Sequence, residues 1–203
     1  MSVKHTWGTV LIIGLCWWGF GVELLGSGSL TPDIHVMVSL GGLVRDLVEP
    51  PHNEWYRYVT HLFLHGSFLH IIFNSIALYF GGRFLELIAG HTWFFLVLFL
   101  SGFGGGWLGV VLSDPHTVLI GISGGVMGVL GALALMAFSL KESPLRRHIM
   151  ANSMQIIIPS LVPVLSGVSY AAHLGGLVVG VGIGCVWILW TKLRRLFKGS
   201  YAK

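Results

Sequence analysis

Six separate apolar stretches, most of them near twenty residues long, constrain this chain more than any other feature it has. A helix rises 1.5 Å per residue, so about 20 residues cross the ~30 Å hydrocarbon core of a bilayer, and runs of that length read as membrane spans. They fall at roughly 7–25, 62–84, 93–112, 122–140, 151–165 and 172–190. With 54% hydrophobic and only 10% charged residues, and a mean hydropathy of +0.81, an ordinary soluble domain is excluded. The expected fold is an all-α membrane protein, a bundle of six transmembrane helices forming a single domain over residues 1–203. The first run, behind Lys4, resembles a secretory signal, but its apolar length is that of a membrane anchor.

Basic residues are retained on the cytoplasmic side of short loops, and they orient the bundle. Lys4, Arg83, Lys141, Arg146, Arg147, Lys192, Arg194, Arg195, Lys198 and Lys203 fall on one side of the six-span arrangement, and only Arg45 and Arg57 on the other. Both termini are therefore expected in the cytoplasm. The same bias accounts for the net charge of +4, so nucleic acid is not an expected partner and anionic lipid is. The segment 26–61 is too polar to span and too long for a turn. With Trp55, Tyr56 and Tyr58 favouring the headgroup level, it is expected to fold back onto the outer bilayer surface, although a plain surface loop fits the same residues.

Cys16 and Cys185 lie inside apolar runs and are expected to be inert. No P-loop or dinucleotide fingerprint is present. The glycines carry more information. Gly124 with Gly128, and Gly176 with Gly180 and Gly184, recur at four-residue spacing, which lets helix backbones approach closely in lipid, so the fourth and sixth spans are expected to touch.

Those two spans also carry a hydroxyl and an imidazole at matched depth. Ser123 lies 18 residues before Lys141 and His173 lies 19 before Lys192, which places each about 27 to 29 Å above the inner face. Polar groups at that depth usually mark function, and a serine within reach of a histidine is the first requirement of an activated nucleophile. Spacing alone equally accommodates a small residue at a helix N-terminus and an unrelated histidine. Gly121-Ile122-Ser123-Gly124-Gly125 matches the Gly-x-Ser-x-Gly pattern of soluble hydrolases, but that elbow needs a strand running into a helix and no strand is evident. At a helix start, free N–H groups and the helix dipole can still stabilise an oxyanion.

The second span adds His65, His70 and Asn74. His70 and Asn74 stand four apart, on one helix face, and both can donate to a developing oxyanion. His61 and His65 suit structural roles. Paired imidazoles at that spacing also suit zinc, but the His-Glu-x-x-His pattern is missing, so no metal is expected. Glu86 belongs to the opposite, cytoplasmic end, and no acid is expected beside the cluster.

Taken together and in this order, Tyr56-Arg57, His65 with His70 and Asn74, the Gly-Arg-Phe-Leu-Glu stretch ending at Glu86, Gly121-Ile-Ser123-Gly and Ala172-His173-Leu-Gly-Gly resemble the rhomboid intramembrane serine proteases of the compact six-helix bacterial type. The resemblance implies that Ser123 is the nucleophile and His173 the general base of a dyad without aspartate. It also implies that His70, Asn74 and the Ser123 backbone N–H form the oxyanion hole. Supporting roles fall on His65, Arg57, Glu86, Gly121, Gly124, Met127, Gly176 and Gly180. Two positions depart from the pattern. Met127 stands where many relatives carry an aromatic, its flexible thioether still suited to packing on the His173 ring. Tyr56 precedes Arg57 where relatives often have Trp.

The implied activity is a serine endopeptidase acting on transmembrane protein substrates near the outer boundary, with no cofactor. The expected location is a cell inner membrane, with the site opening toward the periplasm or exterior. The short flanks are expected to carry no soluble domain. Pro159, Pro163 and Gly167 mark the fifth span and its loop as a candidate gate, though ordinary helix kinks fit them as well. An inactive binding protein on the same bundle would ordinarily lack the serine or histidine. A channel would show polar residues along a path, whereas the inner halves of these spans are almost uniformly apolar.

Overall fold

The computed structural model describes residues 6–139, 142–162 and 169–200, with side chains of the last helix described to residue 197. Nine α-helices and one 3₁₀ turn occur among them: α1 (Trp7–Ser27), α2 (Ile34–Ser39), α3 (Arg45–Val48), α4 (Arg57–Thr60), the turn His61–Phe63, α5 (Phe68–Ala89), α6 (His91–Leu112), α7 (Ser123–Phe138), α8 (Pro144–Ser160) and α9 (Tyr170–Ser200). Four are long and apolar enough to cross a membrane: Trp7–Ser27, Phe68–Ala89, His91–Leu112 and the Tyr170–Phe197 part of α9. The chain is a multi-pass, all-α membrane protein with four long apolar helices and several shorter ones.

α7 is the shorter apolar helix, and its burial explains why it needs no greater length. Thirteen of its sixteen residues are buried, with α5, α6, α8 and α9 around it. A helix that is apolar on every side belongs in the core, and backbone that leaves helical form at membrane depth is tolerated where protein surrounds it. α8 differs in kind. Its first turns carry Arg146, Arg147 and His148, so it begins well before the apolar run at Ala151; Ser143 caps it by accepting the Arg146 N–H. Pro163 and Gly167 lie outside the described residues.

α6, α7 and α9 meet through glycine. A Cβ at Gly176 would overlap the Gly124 carbonyl, one at Gly180 the Gly128 carbonyl, and one at Gly105 would stand 2.5 Å from the Ala172 oxygen. Without side chains at these positions the backbones come into direct contact, which in lipid replaces the missing hydrophobic drive with dispersion.

The segment 26–61 is folded rather than loose. Asp33 caps α2, accepting the N–H groups of His35 and Val36. Arg45 donates to the Val110 and Ser113 carbonyls at the end of α6, a cation placed where the helix dipole favours it. Leu43 and Leu119 exchange both backbone hydrogen bonds as an isolated antiparallel bridge, at 3.0 and 2.8 Å. This bridge ties the segment 26–61 to the stretch that leads into α7.

At the far end, Glu86 of α5 caps α1 from outside. One carboxylate oxygen accepts Gly8 N–H at 3.0 Å and sits 2.6 Å from His91 Nδ1, while the other accepts Thr9 N–H at 2.9 Å and the Thr9 hydroxyl. Gln at this position would turn one acceptor into a donor facing donors. Glu86→Gln is therefore expected to cost about 1–3 kcal/mol, read as a lower midpoint in thermal unfolding of the detergent-solubilised protein.

Candidate active site

Ser123 is the first residue of α7, and Gly121 makes the turn that delivers it. Gly121 has φ +105°, a conformation that disfavours side chains, and its N–H donates to the His61 carbonyl at 2.8 Å. A Cβ there would also lie 2.7 Å from His70 Cε1, so glycine is required both by the turn and by the approach of the imidazole. The first N–H groups of a helix have no intrahelical partner, which leaves the start of α7 rich in donors.

His173 comes to this point from the second turn of α9. Its Nε2 stands 2.9 Å from Ser123 Oγ, and its Nδ1 stands 2.9 Å from the backbone carbonyl of Ser160 at the end of α8. A carbonyl can only accept, so Nδ1 carries the proton and Nε2 presents a lone pair to the hydroxyl. The ring is thus set in the tautomer a base needs by a main-chain oxygen, where soluble hydrolases use a carboxylate. His173 is 9% exposed and Ser123 half-buried.

His70 and Asn74, one turn apart on α5, converge on Gly121. The Asn74 Nδ2 lies 3.6 Å from the position of a Cβ at Gly121, is buried, and has no hydrogen-bond partner among the described residues. Ser67 caps α5 and accepts the His70 N–H at 3.2 Å. The cap sets the helix start at Phe68, six residues beyond the start of the apolar run. His65 consequently precedes the helix, its ring against that of His70 with centroids 5.1 Å apart.

The remaining singled-out residues are placed elsewhere. Gly124, Gly176 and Gly180 line the α7–α9 contact, and Met127 is buried in the main hydrophobic core. Glu86 lies three turns along α5 from Asn74, about 18 Å along the axis. Arg57 is buried within the folded segment 26–61, donating to the Val38 and Gly42 carbonyls at 2.7 Å each and to Glu54 at 2.6 Å. Hydrogen bonds from Tyr56 and Arg57 hold the Glu54 carboxyl below the ordinary carboxylate range. His61 Nδ1 donates to the Arg57 carbonyl at 2.7 Å, and burial pushes its pKa down to about 4.

One expectation needs correcting. An acid does adjoin the histidine cluster: Glu23 of α1, wholly buried, accepts the His65 backbone N–H at 2.9 and 3.1 Å. The signal was a lone glutamate within an apolar run, which in lipid is a mark of function or structure rather than noise. Ser160 gave no such signal, because its contribution is a carbonyl that every residue type possesses. Among the described residues no group of three metal-ligating side chains comes together.

Known proteins resemble this chain over most of its length. The family model for the Rhomboid domain matches residues 52–190. RHOMBOID-like protein 5 of Arabidopsis thaliana is 32% identical over 79% of this chain and 52% of its own length. Rhomboid protease GluP of Bacillus subtilis (strain 168) is 31% identical over 79% of this chain and 31% of its own. Rhomboid protease GlpG of Photorhabdus laumondii is 31% identical over 73% of this chain and 51% of its own. The chain thus spans about half, or less, of the length of these relatives. With the family model covering well over half of its residues, the chain belongs to the rhomboid family.

Proposed function

We propose that this chain is an intramembrane serine endopeptidase that cuts transmembrane proteins near the outer membrane boundary, with Ser123 as nucleophile and His173 as general base. The observation that carries the proposal is the 2.9 Å contact of Ser123 Oγ with His173 Nε2, made by a ring whose other nitrogen is committed to the Ser160 carbonyl.

In this scheme His173 Nε2 takes the Ser123 proton as Oγ attacks the substrate carbonyl carbon. The tetrahedral oxyanion forms beside Gly121, where the Ser123 N–H, the His70 ring and the free Asn74 amide donate to it. The imidazolium passes its proton to the leaving amine and an acyl-enzyme remains. A water then gives its proton to His173 and attacks the ester, and the returning proton regenerates Ser123. Residues and water alone balance every step.

Hydrolysis at this depth requires a wet cavity open to one side of the membrane. A transmembrane helix shields its carbonyls, so favoured substrates carry small or helix-breaking residues that let the segment unwind near the cut. We further assign six crossings to one rhomboid unit, with α7 and α8 completing the four long helices and both termini in the cytoplasm. The basic residues Arg83, Arg146, Arg147, Lys192, Arg194 and Arg195 support that orientation. The site then opens toward the periplasm or exterior of an inner membrane, with lipid and client helices as partners.

A fluorophosphonate probe, which captures activated serine hydroxyls, is expected to modify the purified protein in detergent at Ser123, as located by peptide mass spectrometry. Chelators should leave the reaction unchanged, and His173→Ala protein should stay unmodified. Capture at another residue, or undiminished capture in His173→Ala, would overturn the assignment. An unreactive protein that still binds transmembrane helices would be a client-binding member of the family instead.

A further inference from the structure

We infer that Glu23 is a positioning residue for the oxyanion site, acting from α1 through the backbone of His65 on the placement of His70. The inference rests on the reading of His70 as an oxyanion donor.

Glu23 is 0% exposed and lies near the end of α1, a helix with no other charged residue. Both of its oxygens approach a single donor, the His65 N–H, and no other hydrogen bond to its carboxyl group occurs among the described residues. A buried carboxyl group with four lone-pair sites and one donor is a poor source of stability on its own, since desolvation outweighs one hydrogen bond. Lipid-facing or packing needs would be met better by leucine. What the carboxyl group uniquely provides is an acceptor for one main-chain N–H.

That N–H belongs to a short irregular link. The turn His61–Phe63 ends at Leu64, and α5 begins at Phe68, so residues 64–67 are held by neither helix. One face of α1 lies along this link: a Cβ at Gly19 would stand 2.6 Å from the Phe63 oxygen, and Glu23, one turn further on, takes the His65 N–H. Immediately after the anchored residue comes Gly66, then Ser67, whose hydroxyl caps the His70 N–H at 3.2 Å. The His65 ring meanwhile packs against the His70 ring at 63°. Fixing His65 therefore fixes both the origin of α5 and the ring against which His70 rests. His70 in turn has no slack, since it lies against Gly121 where even one added carbon would collide. A displacement of His65 is transmitted to the donor beside Ser123.

The test compares Glu23→Leu, which removes the acceptor, with Glu23→Gln, which keeps an acceptor oxygen at the same reach. Both are measured for cleavage of a model transmembrane substrate in detergent. Glu23→Leu should lower kcat about tenfold to 100-fold with KM little changed, less than the loss expected from removing an oxyanion donor outright. Glu23→Gln should recover to within about threefold of wild type. In a double-mutant cycle, Glu23→Leu added to His70→Ala should cost no more than about a further threefold, because the residue through which it acts is already gone. Should Glu23→Leu fail to yield folded protein, Glu23→Met, closer in length, replaces it in the same cycle. Wild-type kcat in the acceptor-less variant, failure of Glu23→Gln to recover, or losses that multiply in the double variant would each overturn the inference. Cleavage that persists in Ser123→Ala would instead sink the reading of the dyad, which separates the two failures.

Discussion

Ser123→Ala is expected to lower cleavage of a model transmembrane substrate by about 10,000-fold or more while leaving the helical fold and its thermal midpoint essentially unchanged. The size of the loss follows from what Ser123 does. Without Oγ no acyl-enzyme forms, and what remains is whatever the oxyanion donors and bound geometry can give to direct attack by water. Stability is spared because the serine side chain is half-buried and makes one hydrogen bond, to a histidine that keeps its second anchor at Ser160. His173→Ala should fall to a similar level, and the double variant no lower than either single one, since the two side chains act as a unit. His70→Ala and Asn74→Ala should lose less, about 100- to 1,000-fold, each being one donor among several. Turnover in detergent with a single scissile bond checks all five proteins, and wild-type rates in Ser123→Ala would end the dyad assignment.

How far the fold was legible depended on what each run of residues faces. α1, α6 and α9 were found by hydropathy because lipid or apolar neighbours surround most of each. Where the surroundings change, the boundaries moved. α8 starts at Pro144 and α9 continues to Ser200, in both cases through basic residues, because a helix emerging from the apolar zone keeps its hydrogen bonds while losing its apolar composition. The start of α5 moved the other way. The apolar run from Leu62 includes a 3₁₀ turn and a link, and Ser67, not hydrophobicity, decides where the helix begins. The segment 26–61 was legible as too polar to span, yet its order comes from Arg45, Arg57 and the Leu43–Leu119 bridge, which are long-range pairings invisible to periodicity.

The candidate site divides in the same way. Side chains with chemistry of their own, Ser123, His173, His70 and Asn74, were candidates by residue type and spacing. Groups that act through the main chain were not. The Ser160 carbonyl that sets the His173 tautomer could have been supplied by any residue, and the His65 N–H that receives Glu23 likewise. Glu23 is visible as a lone charge, but it stands in a run whose average is apolar.

Gly180→Leu should be the most damaging single substitution in the scaffold, removing activity along with stability. The Cβ of any residue at this position falls on the backbone of Gly128, on its carbonyl oxygen, its carbon and its Cα. No rotamer relieves that, because the obstruction is main chain on both sides, so α7 and α9 must separate. Overpacking a tight core costs about 1–3 kcal/mol when side chains can shift; here the cost should lie at the upper end or above. Activity should suffer independently of unfolding. Ser123 stands on α7 and His173 on α9, so any separation of the two helices lengthens their 2.9 Å contact, and a misplacement of about 1 Å can cost about 100-fold. Gly182→Leu is the matched control: two residues along the same helix, exposed, with nothing within 4 Å of a Cβ. It should keep wild-type turnover and thermal midpoint. If the two variants behaved alike, helix propensity or expression would explain both, and the glycine contact would not be what holds the serine to the histidine.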